Sequence, residues 1–225
     1  MDTTHGSREI IWHTDILPAT AKKALNHLKG QLWLERTNWY LAGGTALALQ
    51  VGHRTSQDLD FFNPRKFSPQ SLVKKFSSDD LKTTILREGT IYGSLLGAKI
   101  SFIFYPFFLP KEPLLSYGSV RVLHERDIAV MKIVAISQRG TKRDFVDLYW
   151  YCQNREPLLD VVRRLEGQYP RIAHNYHHIL KSLTYFADAD ADPIPKLHFR
   201  VTWKEIKNYF QTQIPQITRE LLKLE

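Results

Sequence analysis

Cysteine is nearly missing from this 225-residue chain: Cys152 is the only one. An internal disulfide is thereby excluded, a reducing compartment fits, and a cysteine-rich zinc site has no ligands. Long apolar runs are missing too; none approaches the roughly 18–20 residues that a membrane helix needs. The opening MDTTHGSREIIWHTD has no basic segment followed by an apolar one and no small-residue cleavage site, so a cytoplasmic protein without membrane contact is expected. Repeats and low-complexity stretches are lacking. No serine stands in a nucleophile elbow, which removes support for a hydrolase. Acids are in the minority, 23 against 31 lysines and arginines, for a net charge of +8. An excess of that sign attracts polyanions such as nucleic acid or nucleotide phosphates, although a solubility charge spread over the surface gives the same total.

What is present divides into two halves. At 43% hydrophobic residues, the chain can bury a substantial core. Residues 15–37 read as one helix, with Asp15 as cap, Pro18 in the first turn, and Ala21, Leu25, Leu28 and Leu32 on one face. Residues 39–42 form a short apolar strand that stops at Gly43-Gly44. TALALQVGH follows as a short helix ended by Gly52. Residues 57–62 alternate as a second strand that Asn63-Pro64 terminates. PQSLVKKFSS opens a helix; strands are expected over 81–88, 97–107 and 120–123. From Glu125 the pattern is helical: ERDIAVMKIVAISQ, a turn at QRGT, then RDFVDLYWYCQN. Residues 157–225 read as helical with interruptions at Pro170, at DADADPIP and at Pro215. The pattern predicts an α+β fold: a small mixed sheet with helices over 1–123, then a C-terminal helical bundle over 124–225.

The chemistry concentrates in LAGGTALALQVGHRTSQDLDFF, residues 41–62. A strand running into Gly-Gly and then a helix presents bare backbone N–H groups to an anion, usually a phosphate. Alone, the same turn also serves plain strand-to-helix packing. Asp58 and Asp60 are two apart on a predicted strand and so share a face. Their mutual repulsion is relieved when a divalent cation, Mg²⁺ or Mn²⁺, sits between them. Alone, they also read as two solvated acids on an edge strand. In combination, a phosphate turn and a metal-binding carboxylate pair are what transfer of a nucleotide from a triphosphate requires.

The string resembles the DNA polymerase β-like nucleotidyltransferase superfamily, and within it the AbiEii/AbiGii toxin branch. The matching residues are Gly43, Gly44, Thr45, Ala46 and Leu47, then Arg54, Ser56, Asp58, Leu59, Asp60 and Phe61. Downstream, KIVAISQRGTKRDFVDLYWY resembles that branch's second motif through Lys132, Arg143, Asp144, Asp147, Leu148 and Tyr149. Lys132 and Asp147 would be about 22 Å apart on one helix, but a reversal at Gly140 brings them level. The competing reading makes Lys132 a solvent lysine and pairs Asp147 with Arg143.

The resemblance implies a nucleotidyltransferase acting as the toxin of an AbiE-type toxin–antitoxin system, with a role in phage defence and a cognate antitoxin as partner. It implies Asp58 and Asp60 on Mg²⁺, and Gly43, Gly44, Thr45, Arg54, Ser56 and Arg143 around an NTP. It further implies Lys132 on phosphate, Asp147 positioning the nucleotide or the attacking hydroxyl, and the 3′ end of tRNA, or another RNA, as acceptor. Many polymerase β-like enzymes carry a third acid on the strand after D-x-D, where this chain has Ser101. That leaves two rivals open: a degenerate nucleotide-binding module, and a small-molecule nucleotidyltransferase like those acting on aminoglycosides. His174, His177 and His178 have helical metal-ligand spacing but no completing acid or cysteine. Asp188, Asp190 and Asp192 lack the glycine and closing glutamate of a calcium loop.

Overall fold

A computed structural model describes residues 10–222. The stretch read for a targeting signal lies mostly outside them. Of the expected apolar face, Ala21, Leu25 and Leu28 are buried, joined by Ala24, but they belong to a shorter helix, α1 (Ala19–Lys29), and Leu32 lies beyond it and is exposed. The chain breaks at Gly30 and resumes as α2 (Leu32–Glu35). Asp15 is not a helix cap; it lies in a 3-10 turn, Thr14–Ile16, and Pro18 occupies the capping position of α1.

β1 (Tyr40–Ala42) runs into α3 (Gly43–Val51), closed by Gly52 in the left-handed conformation at φ 65°. β2 (Leu59–Asn63) follows. Asp58 stands one residue before β2 and Asp60 within it. After α4 (Pro69–Val73) come β3 (Leu81–Arg87), β4 (Thr90–Leu95) and β5 (Ala98–Phe104), then β6 (Leu115–Tyr117) and β7 (Val120–Val122). β4 and β6 were not anticipated. β4 is broken in pattern by Gly93, where a Cβ would strike the Lys82 backbone carbonyl across the β3 bulge. The sheet has the order β3-β4-β5-β2-β1-β7-β6. β2–β5 and β1–β7 are parallel and the other pairs antiparallel, so a mixed sheet forms.

The helical half begins with α5 (Glu125–Arg139) and α6 (Lys142–Asn154), reversed at Gly140, φ 53°. α5 packs on α3, which fastens the hairpin to the glycine-turn helix. α7 (Leu158–Arg163), α8 (Leu165–Gln168), α9 (Tyr176–Ser182), α10 (Ala187–Ala191) and α11 (Trp203–Leu222) complete it. One expected interruption is absent: Pro215 lies inside α11. The break at DADADPIP is present but starts late, because α10 takes in its first residues and ends at Ala191, with Asp192 extended. Pro215 is on the solvent side, where water satisfies the carbonyl that the missing N–H leaves free. Phe210 is fully buried, and Trp203 and Tyr209 pack around it and Phe145, so the aromatics of α11 are core.

Candidate active site

Between the sheet and the α5–α6 hairpin lies a cleft of about 410 Å³. Gly44, Thr45, Arg54, Ser56, Asp58, Asp60, Lys132 and Arg143 all face it. Asp58 and Arg143, 85 positions apart in the chain, meet there because β2 and α6 flank the same helix, α3.

Behind the cleft wall, Asp147 is fully buried, accepts three hydrogen bonds and forms an ion pair with Lys132. Oδ1 takes His53 Nε2 (2.7 Å) and Arg54 Nε (2.5 Å); Oδ2 takes Arg54 Nη2 (2.8 Å) and Lys132 Nζ (2.5 Å). Asp144 is equally buried and equally saturated. Its Oδ1 takes Lys132 Nζ (2.8 Å) and Arg139 Nη2 (3.1 Å), and its Oδ2 takes Arg139 Nε (2.9 Å) and Thr141 Oγ1 (2.6 Å). Lys132 therefore bridges both acids and is buried, not a solvent lysine. Arg143 does not pair with Asp147; its Nη1 donates to Asp58 Oδ2 at 3.1 Å. Despite burial, these cations hold the Asp144 and Asp147 carboxyls well below the usual carboxylate range, led by Lys132 at Asp144 and Arg54 at Asp147. His53 is buried and its Nδ1 has no partner. Since a carboxylate only accepts, Nε2 carries the proton. Burial pushes the imidazole pKa down against the pull of Asp147, so the ring is neutral.

The glycines serve this cluster. A Cβ at Gly44 would run into the Arg54 guanidinium and come within 3.3 Å of Asp147 Oδ2. Gly43 has φ 71°, and a Cβ there would lie 3.2 Å from Asp60 Oδ2. The first collision of a side chain at either position is thus with the protein's own charged groups. Thr45 is also tied inward: its hydroxyl donates to the Asp58 carbonyl (2.5 Å) and meets Ser56 Oγ at 2.8 Å.

Asp58 and Asp60 have a different environment. Among the described residues Asp58 Oδ1 is buried without a partner, and Arg143 alone reaches Oδ2. Asp60 Oδ1 accepts from Ser101 Oγ at 2.7 Å. Burial pushes the Asp60 carboxyl up, against the Ser101 hydrogen bond, and Asp58 adds to the rise. Ser101 stands level with Asp60 on the neighbouring strand, at the position of the missing third acid. The donor set fits a hard divalent cation: two carboxylates at the mouth of a polar cleft, one oxygen buried and unsatisfied. Among the described residues no group of three or more His, Cys, Asp or Glu gathers into a fuller set.

Several residues at the site had no role assigned from the sequence pattern. His53 and Asp144 lie inside the two motifs, but their partners appear only when the motifs are brought together. Arg139 closes α5, one residue before the reversal. Thr84, Tyr92, Ser94 and Lys99 line the far end from β3, β4 and β5. Elsewhere, the histidines do not converge: His174 reaches the Tyr169 carbonyl and His178 the Ser137 carbonyl. Asp192 accepts from the Lys142 N–H at the start of α6, and Asp190 accepts from Trp203 and Lys207.

A mixed sheet with an acid pair at its centre and a helical hairpin packed over it is the fold of nucleotidyltransferase toxins. MenT4, a nucleotidyltransferase toxin of Mycobacterium tuberculosis H37Rv, superposes with a TM-score of 0.56 at 17% identity, over 89% of this chain and 86% of that one. JHP933 of Helicobacter pylori superposes with a TM-score of 0.54 at 19% identity, over 92% and 95%. The chain belongs to the AbiEii family: the model described as "Nucleotidyl transferase AbiEii toxin, Type IV TA system" matches residues 31–85 and 102–219. An uncharacterized protein of Aquifex aeolicus strain VF5 is 33% identical over 187 residues, spanning 80% of this chain and 87% of that one. Among the described residues no helix is long and apolar enough to cross a membrane.

Proposed function

We propose that this family member moves a nucleotide from an NTP to a hydroxyl of RNA, the 3′ end of tRNA being the acceptor, as the cytoplasmic toxin of an antitoxin-controlled phage-defence pair. The observation that carries the reading is the buried, unpartnered Asp58 Oδ1 beside Asp60, in a cleft that also holds Arg54, Lys99, Lys132, Arg139 and Arg143. Asp58 and Asp60 would hold Mg²⁺ or Mn²⁺, which would supply charge neutralisation on the phosphoryl oxygens. Residues 1–123 contribute the acids and 124–225 most of the cations. In the reaction the acceptor oxygen bonds to the α-phosphorus, the α–β anhydride bond breaks, pyrophosphate leaves with the bonding electrons, and the hydroxyl proton passes to water.

The roles of individual side chains follow from their freedom. Arg143 and Arg139 are half-exposed and reach phosphate by small rotations. Gly44 and Ser56 border the phosphate region. Lys132 lines the cleft with a charge already shared by Asp144 and Asp147, so it acts as a fixed positive potential. Asp147 touches no cleft space and is a positioning residue: it holds Arg54 and Lys132. Five basic side chains against the three cleft acids Asp58, Asp60 and Asp144 favour a polyanionic acceptor over a polycationic aminoglycoside. The test is incubation with total RNA and each labelled NTP. Label enters RNA with the native chain and Mg²⁺, and is absent with Asp58→Asn plus Asp60→Asn. Label retained by the double variant sinks the assignment; NTP bound but never transferred by the native chain supports a non-catalytic module.

A further inference from the structure

The cleft has two unlike ends. At one, Arg54, Lys132, Arg139 and Arg143 converge beside Gly44. At the other, the lining is Thr84, Tyr92, Ser94 and Lys99, with one cation, two hydroxyls and an aromatic ring that is 38% exposed. Four cations suit a triphosphate tail. The second end needs a different occupant.

Its side chains are set in two rows by the strand register. Asp60 is opposite Ser101, and Ser101 is opposite Tyr92. Directly opposed residues share a face, so these three form a line across β2, β5 and β4. Lys99 is two residues from Ser101 and shares that face. It is opposite Ser94, and Ser94 is opposite Lys82. At about 4.8 Å per strand, Tyr92 stands about 10 Å from Asp60, and Lys82 lies on the last strand of the sheet. Lys82 and Lys99 are exposed. The strip therefore starts at the catalytic acid, carries two lysines and a tyrosine, and runs off an open sheet edge. Tyr92, Ser94, Lys99 and Ser101 fall in residues 86–101, between the two stretches that the family model matches. The middle of the strip thus lies outside the matched stretches, while its two ends, Asp60 and Lys82, lie inside the first of them.

We propose that this strip is the acceptor subsite and that it takes the 3′-terminal segment of single-stranded RNA. The terminal base stacks on Tyr92, successive phosphates pass Lys99 and Lys82, and the 3′-hydroxyl lies at Asp60. Stacking on an exposed aromatic beside a track of cations is how single strands are held without base pairing. The lysines repel a cationic small acceptor, and a small neutral alcohol has no use for a track open at the edge. The inference rests on the nucleotidyl-transfer reading for its placement of the hydroxyl, but the binding it asserts is measurable without transfer.

The experiment measures binding of a short 5′-labelled single-stranded RNA by fluorescence anisotropy without NTP, and NTP binding by calorimetry. Tyr92→Ala weakens RNA binding about ten-fold, and Tyr92→Phe restores it, because the ring rather than the hydroxyl does the stacking. Lys82→Glu with Lys99→Glu weakens it further and lowers the salt slope by about 1–2. NTP affinity is unchanged in all three. Lys181→Glu, in the separate cavity at the hairpin turn, has no such effect. Unaltered RNA binding in Tyr92→Ala and the double-lysine variant overturns the proposal. So does a loss of NTP affinity in the same variants, which would make this end the nucleobase site. RNA binding that depends on Tyr92 in a chain that transfers no nucleotide leaves the subsite standing and removes the transferase reading. Transfer to RNA that ignores all three residues does the reverse.

Discussion

Two pairs of aspartates stand a few residues apart in space and are treated in opposite ways. Asp144 and Asp147 each have four polar contacts from cationic, hydroxyl or imidazole donors, are fully buried, and are held below the usual carboxylate range. Asp58 and Asp60 together accept two hydrogen bonds from side chains, and Asp60 is pushed up. Where the chain supplies every counter-charge, the carboxylate is scaffold. Where it leaves oxygens short of donors, the missing partner has to come from outside. The inner pair makes the outer pair affordable, because it locks α3, the His53–Arg54 segment and the helical hairpin into one rigid frame behind an electrostatically unfinished cleft.

Breaking the inner pair should have the largest effect. Asp147→Asn leaves Arg54 and Lys132 buried with one formal counter-charge fewer, and stability should fall by about 3–5 kcal/mol in denaturant unfolding. Asp144→Asn should cost a comparable amount, not the small amount expected of a local helix cap. Asp58→Asn with Asp60→Asn should leave metal-free stability equal or higher, because a repulsive and partly desolvated pair is removed. Equal losses from the inner and outer pairs would erase the distinction. The inner cluster also sets a pH limb. With folded pKa values below the unfolded carboxylate value of about 3.9, Asp144 and Asp147 contribute stability above it that is lost as pH falls through that range. The His53 pKa is depressed from about 6.5, so the unfolded chain gains its proton first and stability begins to decline below that pH. His53→Gln should remove the upper limb and leave the acid one, as followed by thermal unfolding from pH 8 to 4.

Lys132 belongs to both regions and should show it in two readouts. Lys132→Ala should cut transfer by about 100-fold, on the order of 3 kcal/mol in the transition state, and should also lower stability. Lys132→Arg should not restore transfer, because a planar fork cannot place one point charge between two carboxylates. Full activity in Lys132→Arg would mean that only net charge matters there.

The sequence exposed the outer pair more readily than the inner one for a physical reason. Asp58 and Asp60 are paired by strand period alone, and Gly52 and Gly140 end their helices in the left-handed conformation, so local rules reach them. The reversal at Gly140 also follows from composition, which is why Lys132 and Asp147 could be brought level. The division of labour could not be read, because the partners of Asp147 are His53 and Arg54, more than 90 residues earlier. The same limit explains the glycines: Gly44 reads as a phosphate turn until Arg54 is found in the space its Cβ would take. Tyr92 and Lys99 carry no motif and reach the cleft only through register. Of the elements, the helix over 15–37 failed at Gly30, and α11 ran through Pro215 because that residue faces water.

The smallest effect should come from the reversal itself. Gly140 has φ 53°, a conformation that side chains adopt at a cost, but a Cβ there would meet only the Ile136 carbonyl at 3.5 Å, an ordinary contact. Gly140→Ala should therefore cost about 1 kcal/mol of stability through backbone strain alone. It should leave transfer unchanged, because α5 and α6 are held together by Lys132, Arg139 and Asp144 whichever residue makes the turn. Thermal unfolding and a transfer assay on one preparation separate the two quantities. A fall in transfer beyond the fall in folded fraction would show that the hairpin is positioned by its turn rather than by its buried charges, and would move the frame from the inner aspartates to the backbone.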